Sequence, residues 1–138
     1  MFTSSCETVC DAMLRMHVIS IVDSEQNPIS GIPLEIINVR TNKPLCTQIK
    51  EENSRERCLD QLGQNQFGNT GYYVIISSFN VATSFNNGDV KNRDVIEVRG
   101  SYMGADFAVR YIVRINKCDI EKVHGPDTIV LDVVIPTD

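Results

Sequence analysis

Apolar and polar positions alternate along most of this chain, and runs of β-branched residues are set apart by turn-forming ones. Met16–Asp23 is such a run, and it leads into a turn-rich stretch, Ser24–Ser30, that contains Asn27-Pro28. Pro33–Val39 follows and is closed by Thr41-Asn42-Lys43-Pro44, so the two runs predict two strands and their connection. Leu45–Lys50 is expected to form a third strand. Gly71–Phe79 is aromatic and β-branched nearly throughout and gives the clearest strand signal. Asp94–Ser101 sets Val95, Glu97 and Arg99 on one face against Ile96 and Val98 on the other. Tyr102-Met103-Gly104-Ala105 then turns the chain. Asp106–Ile115 carries Phe107, Val109, Tyr111, Val113 and Ile115 on one face and Arg110 and Arg114 on the other. After the Gly125-Pro126 break, Thr128–Ile135 reads as the last strand.

The segments between these runs are polar. Glu51–Thr70 has only Leu59, Leu62 and Phe67 as apolar anchors, and a structureless loop of that length is uncommon, so a short helix is expected around Ser54–Leu62. Asn80–Arg93 is a second polar connection. At the start, Ser4–Leu14 places Val9, Ala12 and Met13 at helical spacing behind Glu7 and Asp11, which predicts a short N-terminal helix. Residues 1–15 therefore read as a helical extension and residues 16–138 as one domain. About seven short strands separated by turn signals predict an all-β fold, a single antiparallel β-sandwich. The strands follow one another too closely for crossover helices, so parallel pairing is not expected.

Composition narrows the function classes. The chain has 138 residues, of which 42% are hydrophobic, enough for one ordinary core. Eighteen acidic against 13 basic side chains give a net charge of −5, which argues against nucleic-acid binding. No apolar run approaches the roughly 20 residues of a membrane helix, so membrane insertion is not expected. The first residues have neither a basic nor an apolar stretch of the signal-peptide kind. That places the protein in the cytoplasm if Met1 is its natural start; if the chain belongs to a longer one, an extracellular or cell-surface location is favoured. The five cysteines are Cys6, Cys10, Cys46, Cys58 and Cys118, an odd number without a Cys-x-x-Cys pair. Cys46 and Cys58 bracket a polar stretch and are candidates for a disulfide, provided the compartment is oxidising.

The order of features resembles the prealbumin-like sandwich modules, also called carboxypeptidase regulatory-like domains, as found in archaeal surface proteins. The resemblance rests on Ile19-Ser20-Ile21-Val22-Asp23, on Asn27-Pro28-Ile29-Ser30-Gly31-Ile32-Pro33-Leu34-Glu35-Ile36, and on Asn69-Thr70-Gly71-Tyr72-Tyr73-Val74. Gly88-Asp89 or Arg93-Asp94, ahead of Val95-Ile96-Glu97-Val98, looks similar to a Gly-Asp-x-Ile-x-Val strand of those modules. The chain departs from the pattern in the long insertion at 47–70 and in lacking the Thr-Asp step before Gly71. The resemblance implies an immunoglobulin- or prealbumin-like sandwich that is non-catalytic and spaces, stabilises or displays neighbouring domains or binds protein or carbohydrate.

Candidate chemistry is sparse. Adjacent Tyr72 and Tyr73 must face opposite sides of their strand, and with Tyr102 they are the candidate ligand-binding aromatics. Asn87, Asp89, Asn92 and Asp94 concentrate oxygen atoms suited to calcium, although Lys91 and Arg93 place two positive charges in the same loop. Cys118 or Cys58 with a histidine would suit a small hydrolase, but neither His17, within a strand, nor His124, in a break, comes with a catalytic signature. The expectation is a non-catalytic module with a structural or binding role and no cofactor. A calcium- or carbohydrate-binding module and a Cys/His hydrolase remain alternatives. The open strand edges leave homo-oligomerisation as a further route of association.

Overall fold

In the computed structural model, which describes residues 16–47, 52–62, 71–77, 90–115 and 120–134, the β-branched runs become strands of two sheets. β1 is Met16–Val22, β2 Glu35–Asn38, β3 Lys43–Pro44, β4 Tyr72–Ser77, β5 Asp94–Tyr102, β6 Ala105–Ile115, β7 Ile120–His124 and β8 Thr128–Val130, with one helix, α1, at Glu52–Gln61. The first sheet has the order β4-β1-β8 and the second the order β3-β2-β5-β6-β7. The fold is all-β. Ile19, Ile21, Tyr73, Ile75 and Ile129 of the first sheet and Ile36, Ile96, Val98, Tyr111 and Val113 of the second belong to one buried cluster. The alternation along β5 and β6 accounts for this directly: the even-numbered apolar residues of β5 and the odd-numbered ones of β6 face the core.

Four expectations need correction. β8 runs parallel to β1, with Ser20 opposite Thr128 and Val22 opposite Val130. The antiparallel reading considered strands adjacent in sequence, whereas β1 and β8 lie far apart along the chain, where a crossover is unconstrained. β7 has no counterpart among the expected strands and runs into the break expected around His124, since Glu121, Lys122 and His124 are exposed and its strand conformation comes from pairing with β6. The third strand is Lys43–Pro44; Leu45–Thr47, the described start of the stretch expected to form it, is a turn in which Cys46 adopts φ 80°, and residues 48–50 lie outside the described residues. The last strand stops at Val130, although Leu131 N–H still donates to Val22 O and Ser24 N–H to Val133 O, both at 2.9 Å. The N-terminal helix expected over Ser4–Leu14 lies outside the described residues.

Helix α1 falls on the segment expected to be helical. It begins with Glu52 where the helix dipole favours negative charge, but its sequence is too polar to dock by apolar burial. A ten-residue helix is also short of the length that is stable alone. Its buried Cys58 is joined by a disulfide to Cys46, which sits in the turn after β3. That bond fastens the helix to the edge of the second sheet.

Asp23, Pro28, Ile29, Gly71 and Tyr73 meet in one turn cluster. Asp23 is fully buried, and its Oδ1 accepts the N–H groups of Glu25 at 2.9 Å and Asn27 at 2.8 Å. This side-chain turn folds the chain back so that Ile29 N–H donates to Ile21 O at 2.9 Å. Ile21 N–H in turn donates to Gly71 O, also at 2.9 Å. Gly71 has φ 77°, and a Cβ there would lie 2.9 Å from Pro28 Cβ, so a side chain is excluded both by conformation and by space. Two residues on, the Tyr73 hydroxyl reaches the backbone of the same loop.

Candidate functional site

β5 and β6 form a long hairpin that presents one face outward. The connecting residues Met103 and Gly104 have φ 50° and φ 80°, and Tyr102 pairs with Ala105, as in the two-residue turns whose twist matches that of the strands. This turn fixes the register: Val95 lies opposite Ile112, and Glu97 opposite Arg110. On the other side of β6, Ile112 lies opposite His124 and Arg114 opposite Lys122. The outward rows thus read Val95–Ile112–His124 and, beside it, Arg114–Lys122, with Arg93 just ahead of β5.

Arg93 is held by a turn that is fixed at both ends. Asp94 Oδ2 accepts Lys91 N–H at 2.7 Å, Asp94 N–H donates to Lys91 O at 3.1 Å, and Asn92 Oδ1 accepts Ile115 N–H at 3.0 Å. Arg93 itself takes φ 66° within that turn. Together Arg93, Val95, Ile112, Arg114 and His124 line an open groove of about 520 Å³. Its floor is apolar, with Ile112 48% exposed. Its walls are basic. Arg114 Nε is buried and has no hydrogen-bond partner among the described residues. A buried donor in that state costs about 1–3 kcal/mol, or more when charged.

The two acidic side chains of β5 from Asp94 to Glu97 are engaged by other groups. Glu97 accepts from Arg110 Nε at 2.9 Å and from Arg99 Nε, and these two guanidinium groups hold its carboxyl below the usual range. Asp94 points to the core side of β5 and is largely buried. Burial by itself would raise its pKa. Arg40 Nε at 2.8 Å, Lys91 N–H, Asn38 Nδ2 at 3.0 Å and the Arg40 charge outweigh that and leave it lowered.

The residues singled out from sequence are dispersed. Tyr73 is fully buried, so its ring has no face for a ligand; Tyr72, on the opposite side of β4, is 46% exposed. Tyr102 packs against the core at the far end of β5. The three tyrosines therefore share no platform. Asp94 and Asn92, half of the proposed calcium set, use their oxygens on Arg40, Asn38, Lys91 and Ile115, while Asn87 and Asp89 lie outside the described residues. Among the described residues no three His, Cys, Asp or Glu side chains form a metal-binding group. Cys58 is bonded to Cys46 and offers no thiol, which removes it as a nucleophile; Cys118 lies outside the described residues. His17 is partly buried on β1 opposite Ile76, and burial lowers its pKa against the opposing charge of Asp127.

Compared with known proteins, this chain matches no family model, no curated protein and no solved structure. The groove itself was missed in the sequence. Arg114 is legible as an outward residue, but in the sequence Arg93 reads only as a charge opposing a calcium site and His124 as part of a break. The signal available was the alternation of β6. What it lacked was β7, whose pairing brings His124 and Lys122 alongside. Among the described residues no helix is long and apolar enough to cross a membrane.

Proposed function

We propose that this protein is a non-catalytic β-sandwich module of the prealbumin-like, carboxypeptidase regulatory-like kind, and that it binds a partner on the outer face of its five-stranded sheet. Two sheets around one core support the sandwich part of the reading. The placement of Asp23, Pro28, Gly71 and Tyr73 in one turn cluster supports the resemblance, since these four of the residues that carry it each have a structural task there. The observation that carries the binding role is the open groove lined by Arg93, Val95, Ile112, Arg114 and His124, an apolar floor between basic walls. Such a combination on rigid strands suits recognition of a ligand. The Cys46–Cys58 bond supports an oxidising setting such as a cell surface.

Backbone amide shifts recorded during titration with peptide and glycan panels test this reading. The expected result is perturbation confined to residues 93–95, 112–114 and 122–124. Perturbation centred on Tyr72, or none at the groove with any panel member, overturns it.

A further inference from the structure

The geometry points to an acidic peptide segment bearing an aliphatic side chain as the partner of the Arg93–Arg114–His124 groove. This rests on the binding role proposed above and gives that site a ligand class.

Charge complementarity makes the argument. Arg93, Arg114, Lys122 and His124 gather at one end of the outer sheet face, and no carboxylate lines the groove among the described residues. The charges farther along that face are arranged differently. Arg99 and Arg110 meet Glu97, and Arg99 also lies 3.9 Å from Glu35, so two carboxylates balance these two guanidinium groups within the sheet. The groove is where positive charge is left over. It stands out against a chain whose net charge is −5. At physiological salt the screening length is about 8 Å, so an approaching carboxylate responds to this local patch rather than to the distant negative charges.

The donor chemistry suits a carboxylate. Arg93 is exposed at the groove, and a guanidinium edge matches the two oxygens of a carboxylate. The floor adds the second requirement: Val95 and the half-exposed Ile112 lie directly across the ladder from one another, and an aliphatic side chain covers them. A polyanion such as nucleic acid would supply the charge but nothing for this floor, and the basic cluster is too small for a long phosphate backbone. An acidic residue next to a Leu or Ile in a peptide supplies both.

The experiment uses the full chain and three fluorescent eight-residue peptides: one alternating Glu and Leu, its Gln-for-Glu counterpart, and its Lys-for-Glu counterpart. Anisotropy is read at low and at high salt, and amide shifts locate the site. The acidic peptide is expected to bind at least about tenfold more tightly than the Gln peptide, with affinity falling as salt rises. Arg93→Glu and Arg114→Gln are each expected to weaken it about tenfold or more, while Arg57→Gln on the exposed side of α1 leaves it unchanged. Arg93 lies in a surface turn, so its variant keeps the test usable if the Arg114 variant folds poorly; circular dichroism checks both. Equal binding of acidic and Gln peptides overturns the proposal, as does tighter binding of single-stranded DNA or anionic vesicles. If neutral peptides or glycans shift the groove residues while the acidic peptide does not, this assignment fails and the binding role stands. If nothing shifts them, both fail.

Discussion

The Tyr73 hydroxyl donates to the Ile29 carbonyl at 2.7 Å and ties β4 to the loop that leaves β1. The same oxygen accepts Ile32 N–H at 3.2 Å, so one buried side chain satisfies two backbone groups of an otherwise irregular segment. Its burial, with a smaller contribution from nearby Tyr102 and against the Ile32 hydrogen bond, raises the hydroxyl pKa and keeps it a neutral donor. Tyr73→Phe is expected to lower stability by about 1–3 kcal/mol, since both backbone partners stay buried and unsatisfied. Urea unfolding of the two proteins measures this, and an unchanged midpoint would show that the loop is held by other means.

In the turn between β5 and β6, Met103 occupies a left-handed conformation, φ 50°, and is 57% exposed. It gives up little packing there, while an L residue other than Asn or Gly is strained. Met103→Asn creates an Asn-Gly turn and is expected to stabilise the protein by about 1 kcal/mol. A thermal melt that shifts downward instead would mean that Met103 packs on something essential.

Acid stability should fall in two stages. Burial holds His17 below its ordinary value of 6.5, so just beneath that pH the unfolded chain binds more protons than the folded one. The stability His17 contributes is therefore full above 6.5 and is lost as pH drops through the lower folded value. Asp94, held below 3.8 by Arg40, Lys91 and Asn38 despite its burial, does the same at more acid pH, with Glu97 alongside it. Urea midpoints followed from neutral to strongly acid pH should show the upper stage vanish in His17→Gln. Asp94→Asn should lower stability at neutral pH and flatten the lower stage. Identical pH slopes in the variants and the parent would contradict these assignments.

The Cys46–Cys58 bond closes a loop with a sequence separation of 12, for which chain entropy in the unfolded state gives a stabilisation of about 3 kcal/mol. Replacing both cysteines by serine is expected to cost that much and to remove hydrogen-exchange protection from α1 before any strand. Peptide mapping after alkylation of unreduced, unfolded protein should find Cys46 and Cys58 unmodified. Their full alkylation would disprove the link.

By itself the sequence determined the local conformation and the inner face of each long strand. Alternation in Asp94–Ser101 and Asp106–Ile115 is enough to put Ile96, Val98, Tyr111 and Val113 inside, because side-chain direction in a strand repeats every second residue. The turn at Met103-Gly104 is legible because it is set by neighbours within a few residues; the polar helix is expected only from the length of its segment, and the Cys46–Cys58 bond fastens it. Tertiary structure alone decided which strands became partners. The parallel placement of β8 beside β1, and the strand state of β7 with its Glu121-Lys122, depend on hydrogen bonds to residues distant in sequence and leave little mark on local pattern. The close seat of Gly125 against Tyr111, where a Cβ would come within 2.3 Å of the ring, is of that kind as well. So is the groove: Arg93, Arg114 and His124 lie on three strands or their ends, and only the register of β5, β6 and β7 brings these side chains together over Val95 and Ile112.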